Sequence, residues 1–145
     1  MLKGTKYRRY VTGSHQKAHA YGFFSENGKR MFTLRNNLNA KEFLNVLSKF
    51  LHKFKKVILM LDKAPWHKKS KKVQRYLKKH RREIKIIWFP TGCPEMNPVE
   101  ECWRQAKEEV NGGRIHESFG VMKKELRYFL KYHKFRQDMV EYLRP

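Results

Sequence analysis

Apolar positions along the chain recur with two periods, and the changes of period mark out the elements. After Asn39, the residues Phe43, Val46, Leu47, Phe50, Leu51 and Phe54 fall at i, i+3, i+4, i+7, i+8 and i+11, the stripe of an amphipathic helix. Asn39 suits the N-cap, and Glu42 is placed to return the cap. Upstream, Gln16 to Ser25 and Lys29 to Leu34 are β-prone runs joined through Glu26-Asn27-Gly28. Asn-Gly supplies the positive φ angles of a tight turn, so these runs predict a β-hairpin. Residues 1–15 are basic and irregular, with Tyr7 to Thr12 fitting a further short strand. Val57 to Leu61 and Ile84 to Phe89 are continuous apolar runs, the pattern of strands buried on both faces. Between them the basic stretch Lys68 to Lys79 carries Val73, Tyr76 and Leu77, which predicts a surface helix with one packed face. The loop Pro90 to Met96 leads into a helix from Asn97 to about Val110. A further helix runs from about Ser118 to His133 with Phe119, Met122, Leu126, Phe129 and Leu130 as its apolar positions. Met139, Val140 and Leu143 predict a short final turn.

Helices alternating with buried strands give an α/β sheet whose crossovers pack on its faces. The 145 residues suffice for one domain with a core, and no linker or internal repeat divides them. Charge sharpens the picture. Lys and Arg number 34 against 13 Asp and Glu, a formal net charge of +21. Only nucleic acid or an anionic membrane surface matches such an excess. The hydrophobic content of 40% and aromatic content of 14% exclude a disordered basic tail, because such tails lack core-forming side chains. No apolar run approaches the roughly 20 residues of a membrane span, and no signal peptide opens the sequence. Cys93 and Cys102 form no CxxC pair, so neither a disulfide framework nor a zinc knuckle is expected. The cytosol or nucleoid is the expected address.

Two carboxylates stand out. In open α/β sheets ligand sites gather at the carboxyl ends of strands, and Asp62 follows directly on Val57 to Leu61. A carboxylate there is costly unless water, a metal or a hydrogen-bond donor meets it. A turn or helix cap before Pro65 is the plainer alternative. Glu100 lies in "CPEMNPVEECW", where Asn97 can cap, Pro98 suits the first helical position, and Glu100 has capping-box spacing. On a helical wheel Val99, Cys102, Trp103, Ala106 and Val110 form the buried stripe, with Glu100 at its flank, about 60° from Trp103. From there it can look toward Asp62, whereas Glu101 points to solvent. Two carboxylates from a strand end and a helix suit Mg²⁺ or Mn²⁺, hard ions that prefer oxygen ligands, and paired ions of this kind serve phosphodiester chemistry.

The stretches "VILMLDKAPWHKKSKKVQRYL" and "IKIIWFPTGCPEMNPVEECWRQAK" resemble the catalytic domain of DDE transposases of the mariner superfamily, in its prokaryotic insertion-sequence branch. The matching positions are Asp62, Ala64, Pro65, His67, Asn97, Pro98, Val99, Glu100 and Trp103, with 37 residues between Asp62 and Glu100. Residues from about Ser14 to Phe54 look like the middle section of the same family. The resemblance implies an RNase H-like (integrase-type) mixed sheet flanked by helices, Mg²⁺ (or Mn²⁺) as cofactor, and DNA as partner at transposon ends and target. It implies cleavage at the ends and strand transfer, homo-oligomerisation when complete, and a nucleoid-associated address in a prokaryotic cytoplasm. Asp62 and Glu100 are then the second and third metal-binding, catalytic acids. Trp66, His67, Asn97, Pro98 and Trp103 shape the site, and Lys68, Lys69, Lys71 and Lys72 contact DNA phosphates. For His67 a solvated start to a basic helix is the alternative, and for the lysines a solvated face.

The family's first acid stands on a central strand before the hairpin, and upstream of Asp62 the only acids are Glu26 and Glu42. The expectation is therefore a single catalytic domain over residues 1–145 lacking the first central strand, without the family's helix-turn-helix region, completed by an upstream transposase fragment or decayed. Strand transfer by the chain alone is expected to be negligible. Lys63 where the family often has Asn, and Gly92-Cys93 where it often has Tyr-Ser, are tolerable departures. The competing function is a non-catalytic basic nucleic-acid-binding domain of the same fold. A Holliday-junction-type nuclease ranks last, since it needs the missing acid as well.

Overall fold

The computed structural model describes residues 16–25 and 27–136; the expected strand over Tyr7 to Thr12 and the final turn near Met139 lie outside them. Strands β1 (His19–Phe24) and β2 (Arg30–Arg35) pair antiparallel from His19 opposite Arg35 to Phe24 opposite Arg30. Gly28 takes φ +78° in the turn, the conformation that favours glycine. Helix α1 (Ala40–Phe54) starts where the Asn39 side chain accepts from the Glu42 N–H. Glu42 does not return the cap; its carboxylate lies 3.8 Å from Arg35 Nε, because β2 brings that cation beside the helix start.

Strands β3 (Val57–Leu61) and β4 (Ile84–Trp88) are parallel, with Val57 opposite Ile84 and Leu61 opposite Trp88. The helix expected over Lys68 to Lys79 forms from Lys71 onward as α3 (Lys71–Lys79), and a separate single turn, α2 (Pro65–Lys68), precedes it. Ser70 divides them, its hydroxyl accepting from the Val73 N–H, and an N-cap has non-helical backbone. After β4 a 3₁₀ turn (Pro94–Met96) leads to α4 (Pro98–Asn111), and α5 (Phe119–Tyr132) follows.

The hairpin is covered on both faces. Tyr21 and Phe23 point to α1, with Phe23 stacked on Phe50 at 4.1 Å, while Phe24 and Phe32 pack with Trp103, Leu130 and Phe135 on the α4–α5 side. Leu59, Leu61 and Ile84 join the α1 core, where Phe43, Val46 and Leu47 are fully buried; each such side chain contributes about 1.5–3 kcal/mol. Arg30 ties the layers together by donating to the carbonyls of Lys131 and His133 at the end of α5.

Two expectations are corrected. Among the described residues the strands form two separate two-stranded sheets rather than one mixed sheet, both packed on α1. Among the described residues the β3–β4 pair is also covered on one face only: Leu59 and Leu61 are buried, but Ile58 is 67% exposed and Ile87 40%. No helix among the described residues is long and apolar enough to cross a membrane.

Candidate active site

Because β3 and β4 are parallel and in register, the segments after them leave the same end of the pair. Asp62 follows β3, and the loop to α4 follows β4. Phe89 N–H donates to the Leu61 carbonyl at 2.8 Å, and Lys63 Nζ reaches Thr91 Oγ1 at 3.3 Å, joining the two exits.

Asp62 is built into a small polar cluster. Its Oδ1 accepts from the Ala64 N–H at 3.1 Å and lies 2.8 Å from His67 Nδ1. An ionised carboxylate only accepts, so the imidazole donates. The hydrogen bond from His67 outweighs partial burial, and with the Ala64 N–H it holds the Asp62 carboxyl below the usual carboxylate range. Oδ2 is left outside both contacts, on a side chain 53% exposed. The alternative of a solvated His67 is not what folds: its side chain is 12% exposed, with the ring 4.2 Å from Phe43 and 5.9 Å from Trp66. Pro65 at the first position of α2 makes this possible, since the turn it starts brings residue 67 back over residue 62. The buried Trp66 Nε1 has no hydrogen-bond partner, an open donor beside the cluster.

Glu100 sits in the first turn of α4, where the Asn97 side chain accepts from the Val99 N–H at 3.2 Å and Pro98 is buried. The capping-box alternative for Glu100 is not realised: its own N–H donates to the Asn97 carbonyl, and its side chain is exposed with no hydrogen bond or ion pair among the described residues. Glu101 instead takes Arg104 in two contacts of 2.7 and 2.8 Å and Gln105 at 2.9 Å, which lowers its carboxyl to about 2. No hydrogen bond or ion pair joins Asp62 to Glu100. Trp103, three residues on, packs edge-to-face on Phe32 at 5.3 Å and lies over Gly22, fixing α4 on the hairpin. Cys102 is buried there, and desolvation pushes its thiol up to about 12, so it stays protonated and unreactive.

The basic residues flank Asp62. Lys68 places Nζ 5.8 Å from the Trp88 ring centre, whereas Lys69, Lys71 and Lys72 are exposed. Sequence reasoning passed over the partnership of His67 with Asp62 and the Lys63–Thr91 bridge; the Pro65-initiated turn was the available signal for the first.

This arrangement, an aspartate at a strand end with a glutamate entering the first turn of a later helix, is joined by a direct comparison. A family model described as DDE superfamily endonuclease matches residues 1–134. The chain belongs to this family. No curated protein and no solved structure matches it. As a DDE superfamily endonuclease the chain is of the nuclease or transposase type, whose substrate is DNA. The enzymes of this superfamily generally use divalent metals. The residues fit that use in donor chemistry: Asp62 offers an ionised carboxylate with one oxygen free, and Glu100 an unpaired carboxylate, both suited to a hard cation. They do not complete a cage, for no group of three or more His, Cys, Asp or Glu side chains comes together among the described residues.

Proposed function

We propose that the chain is the catalytic domain of a DDE transposase of the mariner superfamily, from its prokaryotic insertion-sequence branch, with an RNase H-like fold. Asp62 and Glu100 would hold Mg²⁺ or Mn²⁺. The observation that carries the reading is the Asp62 cluster: a half-exposed carboxylate at the end of a half-buried strand, kept ionised by His67 and Ala64 with Oδ2 free. Spending a packed histidine to orient a carboxylate is costly for a mere turn residue and suits a ligand, whose partners fix its rotamer. When bound, the metal supplies charge neutralisation at the phosphodiester and a more acidic attacking hydroxyl or water. His67 orients Asp62, Asn97 and Pro98 fix the first turn that carries Glu100, and Trp66 borders the cluster. Trp103 anchors α4, and Lys68, Lys69, Lys71 and Lys72 bind phosphates beside the acids.

With no third acid brought to them among the described residues, Asp62 and Glu100 alone give a weak site, and the chain by itself does not carry out strand transfer. That same observation favours the second reading, a basic nucleic-acid-binding domain without catalysis. Calorimetric titration with Mn²⁺ separates the two. The transposase reading expects binding that Asp62→Ala weakens at least tenfold; binding indifferent to Asp62→Ala, or none, supports the second. Efficient Mg²⁺-dependent end joining by the pure chain would contradict the claim of incompleteness.

A further inference from the structure

The cations of α3 continue past the acids to the opposite end of the strand pair. Arg75, Lys78 and Lys79 on α3, with Arg81 and Arg82 in the turn before β4, line one shallow depression of about 580 Å³. All five are exposed. A second depression, sharing Arg81 and Arg82, adds Lys56 and Lys85 at the starts of β3 and β4. Only one carboxylate lies there, and Glu83 is already engaged by His80 Nδ1 at 2.7 Å. Three other arginines do meet acids, Arg35 with Glu42, Arg104 with Glu101 and Glu108, and Arg114 with Glu125, and Arg30 meets backbone carbonyls instead. Lys78, Lys79, Arg81 and Arg82 have no carboxylate partner among the described residues.

On the α3 wheel Lys71, Lys72, Arg75, Lys78 and Lys79 cover an arc of about 120° opposite the buried Val73. Favourable placement of Lys78 and Lys79 at a helix C-terminus accounts for those two, but not for Arg81 and Arg82, which lie beyond the helix. Five like charges crowded into one concavity repel one another unless a polyanion neutralises them. A five-residue strand spans about 17 Å, so this patch lies about two Debye lengths from Asp62 at physiological salt. At that distance its charges are largely screened from those of the acids.

We infer that Arg75, Lys78, Lys79, Arg81 and Arg82 form a second nucleic-acid backbone site, at the end of the β3–β4 pair opposite Asp62. The exposed cations of α3 are the rail between the two ends. At 3.4 Å per phosphate, 17 Å of rail matches about five phosphates of one duplex strand. The partner is the phosphodiester backbone of DNA, and binding there needs no metal. The inference extends the DNA-binding part of the proposed function to a second surface.

The test is the salt dependence of duplex binding by the full chain, read by fluorescence anisotropy with a 30-base-pair DNA in EDTA, which makes it blind to whether Asp62 holds an ion. The triple variant Lys78→Gln, Arg81→Gln, Arg82→Gln is compared with Lys124→Gln, Arg127→Gln, Lys131→Gln on exposed positions of α5, which lowers the net charge by the same three. The groove triple should reduce the slope of log K against log salt by about 2 to 3 and weaken binding at least tenfold at 0.1 M salt. The α5 triple should change the slope by less than one. Equal effects of the two triples, or an unchanged slope in the groove triple, would overturn the site. So would a groove triple that loses binding to phosphatidylserine vesicles while keeping its grip on DNA. If the triple does not fold, the single Arg82→Gln, in the turn, should still reduce the slope by about 0.9, and an unchanged slope there overturns the site as well. Since Mn²⁺ titration reads the acids and the salt slope reads the groove, either can fail without the other.

Discussion

At the scale of single residues, Asp62 and Gly22 carry the most testable consequences. His67 and Ala64 hold the Asp62 carboxyl below its usual range, so this contact adds stability above the ordinary carboxylate range and loses it as pH falls through the lowered value. Asp62 is half exposed, and solvent screening limits the contact to about 1 kcal/mol. Urea unfolding free energies should therefore separate wild type from Asp62→Asn by about that much at pH 5, and the two should converge as the pH falls through the lowered carboxyl value. A Cβ on Gly22 would stand 2.6 Å from the Phe32 ring and 2.8 Å from Trp103. Gly22→Ala should cost about 1–3 kcal/mol from overpacking, with Trp103 emission altered as its ring is displaced; an unchanged unfolding midpoint would contradict the packing. The position of Asp62 was legible from the run Val57 to Leu61 ending in a charge. Its bond to His67 was passed over, because a contact five residues away shows in no period and is signalled only by the short turn that Pro65 starts.

At the scale of elements, α1, α4 and α5 were legible because their apolar stripes and caps agree: Asn39, Asn97 and Ser118 all accept N-cap hydrogen bonds. The break between α2 and α3 was hidden, since Ser70 interrupts a lysine run in which no apolar residue marks a change of phase. The open face of β3 was misread for a related reason: Ile58 and Met60 are apolar whether or not something covers them. What closes α5 is also tertiary. Arg30 in β2 donates to two carbonyls at its end and lies 5.1 Å from the Phe135 ring, serving as a C-terminal cap from another element. Arg30→Met leaves those carbonyls without their cationic donor and should cost about 1–3 kcal/mol. Hydrogen exchange should localise the loss to the last turn of α5, and unchanged protection there would contradict the capping role.

At the scale of the whole molecule, charge governs behaviour. A net +21 distributed over exposed faces destabilises the compact state by self-repulsion. Within α3 the pairs Lys71–Arg75 and Arg75–Lys79 each oppose helix formation by about 0.2–0.5 kcal/mol. The melting temperature should accordingly rise by several degrees between 0.05 and 0.5 M NaCl, and a flat or falling curve in calorimetry would show that this repulsion is compensated. The same excess that costs stability supplies the attraction for DNA. Composition made that partner legible from the outset. The far groove escaped notice because Arg81 and Arg82 stand in a turn, outside any helical pattern.

The claim on which the proposed catalytic function depends is that Asp62 and Glu100, which share no hydrogen bond, serve one metal site. Mn²⁺ binding to the full chain, followed by electron paramagnetic resonance as free ion disappears, tests it directly. If the account holds, Asp62→Asn and Glu100→Gln each remove the same weakly bound ion, and the double variant loses nothing further. Binding unaffected by either change, or two ions lost independently, would contradict it.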